Sequence, residues 1–289
     1  MPHFNQSQRA LMKGKTTVVS GSLAGIGTAI AEKLSMGRAN IVLNCPFPQL
    51  LAECEQVGAK MQTPWISVCA DMSTVWGPAA LVPAAVARFK QIDILVSNAG
   101  MIQLGPLGEA NADTWDQALN LNSRGAFLLV KAALPCLTPF ESLAKSTAAT
   151  LVHSSKRGGF RIIIVSSFAS RMPEVNQSIY AASKGTLDAM IRVWARELPP
   201  VYRCTVKAVA PGSISTETFF KIISSRFNIV KQEMDLRTSI KGAFGDVENV
   251  ALTVAFLAEE RSQSINGEYL LLTGSCYINW LLHQLIVSK

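Results

Sequence analysis

Short runs of β-branched and aliphatic residues recur along the chain at 16–20, 40–44, 65–70, 92–97, 161–166, 205–210 and 268–272, most of them followed by a longer stretch of helical character. Runs of this kind read as strands buried on both faces, and their alternation with helices predicts a parallel sheet covered on both sides. After the first run, Ile26, Ile30 and Leu34 repeat every four residues and so mark one stripe of a helix. Residues 114–137 and 178–198 are long enough for two central helices. The expected architecture is α/β, a doubly wound parallel seven-stranded sheet with helices on both faces. With no internal repeat, low-complexity tract or linker, residues 1–289 are expected to form one domain.

Two segments do not fit a minimal strand–helix repeat. Residues 138–159, rich in Ser, Thr, Ala and Lys, are long for a helix-to-strand connection and read as a surface insertion. Residues 216–242 carry Phe219, Phe220, Ile222 and Ile223 after a strand end, the composition of a flap that closes over a ligand. Its apolar residues would serve equally as a pocket wall or as a subunit interface.

Composition narrows the class further. Of 289 residues, 49% are hydrophobic and only 16% charged, so the chain buries enough apolar surface to exclude disorder. No stretch reaches the ~18 uninterrupted apolar residues of a membrane span, and no secretory signal is expected from the first fifteen residues. The net charge of +7 is scattered, with Lys156 and Arg157 as its adjacent pair, so nucleic acid is not expected as a partner. The six cysteines contain no C-x-x-C pair and no histidine at ligand spacing. They read as reduced thiols of a cytoplasmic protein, with no metal site.

The first strand run ends in Gly21-Ser22-Leu23-Ala24-Gly25-Ile26-Gly27, which opens directly into the Ile26/Ile30/Leu34 helix. Glycines at such a turn permit close backbone approach to a pyrophosphate, while the helix N-terminus supplies free N–H groups and a positive dipole. An ordinary strand-to-helix turn uses glycine too. Its place after the first strand favours a dinucleotide and a Rossmann-type sheet.

Further motifs follow in order: Asp71 after the third strand, Asn98-Ala99-Gly100 after the fourth, Asn122 within a helix, Ser167 after the fifth, Tyr180-Ala181-Ala182-Ser183-Lys184, and Pro211-Gly212-Ser213-Ile214-Ser215-Thr216 after the sixth. Together with the G-x-x-x-G-I-G turn, this set resembles the short-chain dehydrogenase/reductase family over about residues 13–274. Tyr180 and Lys184 are four apart on a helix, so their side chains leave one face, and a nearby ammonium is expected to lower the phenol's pKa. By resemblance, Tyr180 exchanges a proton with the substrate oxygen and Ser167 holds that oxygen, with Ser166 as the fallback. Asn122 supports a water beside Lys184, although a helix-interior Asn also bonds readily to backbone.

The resemblance also implies the cofactor contacts. Gly21, Gly25, Ile26 and Gly27 would meet the pyrophosphate, Asp71 and Met72 the adenine, and Asn98 and Gly100 the ribose. Lys184 would bond the nicotinamide ribose beside Tyr180, while Pro211, Gly212, Ile214 and Thr216 would meet the nicotinamide end. Lys131, nine residues past Asn122, falls where relatives often carry a basic residue. The acid that holds a ribose 2′-OH in NAD-preferring relatives has Cys45 in its place, within Asn44-Cys45-Pro46. An acid would repel a 2′-phosphate, so its absence favours NADP(H) over NAD(H). The expected activity is that of an NADP(H)-dependent ketoreductase acting on a medium-sized apolar carbonyl compound or its alcohol, assembled as a homodimer or homotetramer. The alternative is a dinucleotide-binding scaffold with non-redox chemistry or a partner-binding task.

Overall fold

The structure is a computed structural model that describes residues 11–137, 159–240, 242 and 244–276. Most of the 138–159 insertion lies outside the described residues, as does the chain after Cys276. The strands are β1 (Thr16–Val19), β2 (Asn40–Cys45), β3 (Trp65–Cys69), β4 (Ile94–Ser97), β5 (Phe160–Val165), β6 (Cys204–Pro211) and β7 (Tyr269–Leu272). They form one parallel sheet in the order β3-β2-β1-β4-β5-β6-β7. All seven expected runs are strands, with ends differing by one or two residues.

Period-two alternation within each strand sends its side chains to two separate cores. On β5, Ile162 and Ile164 pack on one side of the sheet against Leu187 and Ile191, while Ile163 and Val165 pack on the other with Ile30, Leu34 and Val254. The first helix, α1 (Gly25–Met36), buries the expected stripe: Ile30 and Leu34 are inaccessible. Each such side chain contributes ~1.5–3 kcal/mol of transfer free energy. The remaining helices are α2 (Leu51–Gly58), α3 (Trp76–Phe89), α4 (Ala112–Leu119), α5 (Gly125–Ala133), α6 (Ser178–Glu197), α7 (Glu217–Ile223), α8 (Phe227–Arg237) and α9 (Val247–Ala258).

Two features of this frame position the site. First, β1 and β4 are neighbours paired through Val18 and Leu95, although β2 and β3 separate them in the chain. The chain thus departs to opposite sides after these strands, which opens a crevice above their C-terminal ends. Second, the long helix expected at 114–137 is not uniform, because a π-helical segment at Asn120–Arg124 separates α4 from α5. A wide turn of that kind re-aims the residues it contains and recurs at functional sites.

Candidate active site

The crevice is a cavity of about 750 Å³ bordered by the glycine turn at one end and by Ser167, Tyr180 and Lys184 at the other. Backbone geometry explains the glycines. Gly21 adopts φ +61°, and a Cβ there would lie 2.7 Å from the Ala99 Cα. A Cβ on Gly27 would sit 2.1 Å from the Gly21 carbonyl oxygen. The turn is also held by two asparagines. Asn44 Oδ1 accepts from the Gly21 N–H at 2.9 Å, and Asn98 Nδ2 donates to the Gly21 carbonyl at 2.8 Å. Ser20 Oγ accepts from the Asn98 and Ala99 N–H groups at 3.0 and 3.1 Å. The open end of α1, with Gly25, Ile26 and Gly27 facing the crevice, is a cradle that a dinucleotide pyrophosphate fits and a side chain would fill.

Asp71, Met72 and Gly100 also border the cavity, as do Pro211, Gly212, Ile214 and Thr216. Asp71 Oδ1 accepts from the Ser73 N–H and hydroxyl at 2.9 and 2.8 Å, so it orders its own turn while facing the cavity. Thr216 accepts from the Phe219 N–H and caps α7. Lys131 does not join them: its side chain is exposed on α5 and does not border the cavity. Nine residues along a helix are two and a half turns, which carries it to the far side of the axis and ~13 Å from Asn122.

The end of β2 differs from the expectation as well. Cys45 is fully buried in the core beside Cys54 of α2 and Cys69 of β3, and it does not border the crevice. Asn44, Pro46 and Phe47 border the cavity there, and none of them is an acid.

The two adjacent serines diverge. Both border the cavity, but Ser166 Oγ is engaged by Asp188 at 3.1 Å, whereas the Ser167 hydroxyl faces Tyr180. Asn122 is buried in the π segment. Its Oδ1 accepts from the Met101 N–H at 2.8 Å, and its Nδ2 donates to the Met101 carbonyl and Ser183 Oγ, both at 2.9 Å. Its amide is therefore spent on holding the loop after β4 against α6. Gly100 lies between them: a Cβ there would come within 3.1 Å of Asn122 Oδ1 and 3.3 Å of Lys184 Nζ.

Electrostatics correct one expectation. Lys184 Nζ donates to the Val165 carbonyl at 3.1 Å and lies 6.0 Å from the Tyr180 ring centroid. Burial pushes its pKa down to about 8, against the pull of Asp188. The Tyr180 phenol moves up from its ordinary value rather than down, because burial outweighs the opposing contribution of Ser167.

Sequence reasoning also missed residues that hold the site. In Asn44-Cys45-Pro46 it is Asn44, not Cys45, that anchors the glycine turn. Asp188 is the other, and its place four residues beyond Lys184 puts it on the same helical stripe.

Along the flap, Phe219, Ile222 and Ile223 of α7 border the cavity. Phe219, Phe220, Phe227 and Phe244 form a cluster with ring centroids 5.3–6.1 Å apart. Among the described residues no helix is long and apolar enough to cross a membrane, and no group of three His, Cys, Asp or Glu side chains could hold a metal ion.

A doubly wound sheet with a glycine cradle at its crossover and a Ser/Tyr/Lys cluster across the same crevice defines a dinucleotide-dependent enzyme. A family model described as enoyl-(acyl carrier protein) reductase matches residues 21–274. Among curated proteins, the short chain dehydrogenase/reductase AacuN of Aspergillus aculeatus is 30% identical over 91% of this chain and 96% of its own length. The hydroxynaphthalene reductase-like protein Arp2 of Metarhizium guizhouense is 28% identical over 95% of this chain and 98% of its own. Among solved structures, a Burkholderia cenocepacia short chain dehydrogenase in complex with NADP superimposes with TM-score 0.78 at 28% identity, covering 92% of this chain and 99% of that one. L-sorbose reductase of Gluconobacter frateurii, complexed with NADPH and L-sorbose, gives TM-score 0.79 at 26% identity, covering 92% and 98%. The chain belongs to the short-chain dehydrogenase/reductase family, oxidoreductases that act on CH–OH groups of small molecules with a nicotinamide cofactor.

Proposed function

We propose that the protein is an NADP(H)-dependent ketoreductase that interconverts a medium-sized apolar ketone and its secondary alcohol. The observation that carries this reading is the placement of Ser167, Tyr180 and Lys184 on one crevice with the Gly21–Gly27 cradle. Bound nicotinamide supplies or accepts the hydride. The chain's own groups do the rest: Ser167 orients the substrate oxygen, Tyr180 gives or takes the proton at that oxygen, and Lys184 holds cofactor hydroxyls and the local charge. A phenol whose pKa burial has raised is protonated at neutral pH. That is the form required to donate to a carbonyl oxygen in the reductive direction.

Support for NADP(H) comes from the end of β2, where Asn44, Pro46 and Phe47 offer no carboxylate to repel a 2′-phosphate. Two neighbours of similar fold were also solved with NADP and NADPH. Phe219, Ile222 and Ile223 favour an apolar substrate. The six free thiols suit a reducing, cytoplasmic compartment. Trp115 on α4, Phe127 on α5 and Val193 on α6 expose 46%, 41% and 58% of their surface, which favours a homodimer or homotetramer. Light scattering that finds monomer alone refutes that assembly.

The test is a panel of ketones and alcohols monitored at the NADPH absorbance band, with wild type beside Tyr180→Phe. The expected result is turnover by wild type and a loss of ~10²–10⁴-fold in the variant with NADPH binding retained. Full activity in Tyr180→Phe overturns the assignment. NADPH binding without turnover across the whole panel favours the scaffold alternative.

A further inference from the structure

Behind the Ser167 end of the crevice lies a hydrogen-bond network, centred on a buried carboxylate and running out to the exposed Arg171, that none of the roles above uses. Asp188 stands on α6 one turn past Lys184, so Tyr180, Lys184 and Asp188 run along one stripe at i, i+4 and i+8. Its carboxylate is buried and reaches across to the turn that carries Ser167. Oδ1 accepts from Ser166 Oγ at 3.1 Å, and Oδ2 lies 3.0 Å from Ser170 Oγ and 3.1 Å from Arg171 Nε. Ser170 Oγ also lies 2.8 Å from the Ser167 carbonyl, and the Tyr269 hydroxyl on β7 contacts both. The Arg171 guanidinium stacks over the Tyr269 ring, 3.8 Å from its centroid.

A buried carboxylate is tolerated only where donors surround it. Here every donor comes from the turn that presents Ser167. That turn follows β5, whereas Tyr180 and Lys184 belong to α6, so alignment of Ser167 with Tyr180 depends on what ties the two elements together. Asp188 ties them with one carboxylate and three residues. It also places a negative charge one turn from Lys184, which favours the ammonium against its burial. Around Lys184 the polar and titratable groups are Tyr180 and Asp188 on its own helix, Asn122 from the π segment and the Val165 carbonyl from β5. Around Asp188 they are Ser166, Ser170, the Arg171 cation and, through Ser170, Tyr269.

We infer that Asp188 is a positioning residue of this oxidoreductase, gripping the Ser166–Arg171 turn so that Ser167 meets Tyr180 and balancing the Lys184 ammonium. The inference rests on the proton-transfer roles proposed for Ser167, Tyr180 and Lys184.

Asp188→Asn preserves the side chain's shape and removes its charge, while Arg171→Leu removes the ion pair and leaves the carboxylate. Each is compared with wild type in NADPH turnover of the fastest ketone from the panel. Each is also compared in a ¹³Cε-lysine NMR titration, with Lys184→Arg identifying the Lys184 signal. The expected result for Asp188→Asn is a 10–100-fold lower kcat, an unchanged KM for NADPH, and a Lys184 midpoint lower by about one pH unit. Arg171→Leu should lower kcat less than Asp188→Asn does, since Ser166 and Ser170 still hold the carboxylate, and should leave that midpoint in place or raise it, since a cation has gone. Asp188→Glu should restore the midpoint. A folded Asp188→Asn with wild-type kcat, or with an unmoved Lys184 midpoint, overturns the inference. Should Asp188→Asn fail to fold, Ser170→Ala decides: a loss of threefold or more in kcat supports the grip, and wild-type kcat overturns it. Tyr180→Phe in the same assay separates the two levels, because full activity there overturns the proton-transfer roles themselves.

Discussion

Ser166 donates its hydroxyl hydrogen to Asp188 across 3.1 Å, so that although both serines border the crevice, only the Ser167 hydroxyl faces Tyr180. Adjacent residues leaving a strand end point to opposite sides, and this alternation assigns the two serines different work. Ser167→Ala is expected to lower kcat by about 100-fold while leaving NADPH affinity intact, because a donor aimed at developing charge is lost. Ser166→Ala should cost about 1–3 kcal/mol of stability, from an under-satisfied buried carboxylate, with less than a tenfold change in kcat. Steady-state kinetics and denaturant unfolding of the pair check both; equal kinetic losses would contradict the assignment.

Gly27→Ala tests the cradle. The new methyl group would sit 2.1 Å from the Gly21 carbonyl, so the turn or the start of α1 must shift. A destabilisation of about 1–3 kcal/mol is expected. NADPH affinity measured by calorimetry should fall more than about tenfold, because a displaced turn misdirects the N–H groups of the helix end.

Pro46→Asp tests cofactor choice. Pro46 borders the cavity where Cys45 does not, so an acid at 46 meets the cofactor whereas an acid at 45 would be buried in the core. The ratio of kcat/KM for NADPH over NADH should fall by about tenfold or more, through repulsion of a 2′-phosphate and a new acceptor for a ribose 2′-OH. An unchanged ratio would contradict the placement of the 2′ group beside Pro46.

Lys207 gives the fold a pH dependence away from the crevice. Fully buried on β6, its ammonium donates to the Leu257 and Ser262 carbonyls and to Ser262 Oγ at 2.6–2.9 Å. Desolvation, and then the Arg161 cation, push its pKa down to about 7 from 10.5. Between those values the unfolded chain holds the proton and the folded chain has released it, so stability rises with pH through that window. Lys184, at about 8, contributes with the same sign over a narrower range. Denaturant unfolding between pH 7 and 8, below the range where thiols that burial has pushed up (Cys45, Cys54, Cys136, Cys204 and Cys276) oppose the trend, should therefore show a positive slope in wild type and a clearly shallower one in Lys207→Met.

Much of this molecule was legible along the chain because the deciding interactions are local. Short β-branched and aliphatic runs alternating with helical stretches, and the Ile26/Ile30/Leu34 stripe, set the sheet and its first helix, since a strand or helix exposes its pattern over a few residues. The glycine turn was readable for the same reason, as Gly21 and Gly27 answer to backbone geometry within seven positions. Tertiary structure decided what depends on which distant surfaces meet. Burial raised the Tyr180 phenol, helical phase carried Lys131 off the crevice, and strand pleat turned Cys45 into the core. The Ser167 turn and the helix bearing Asp188 came into contact only through the packing of the fold. Desolvation and hydrogen bonding act through space, and the order of residues alone does not state which groups share it.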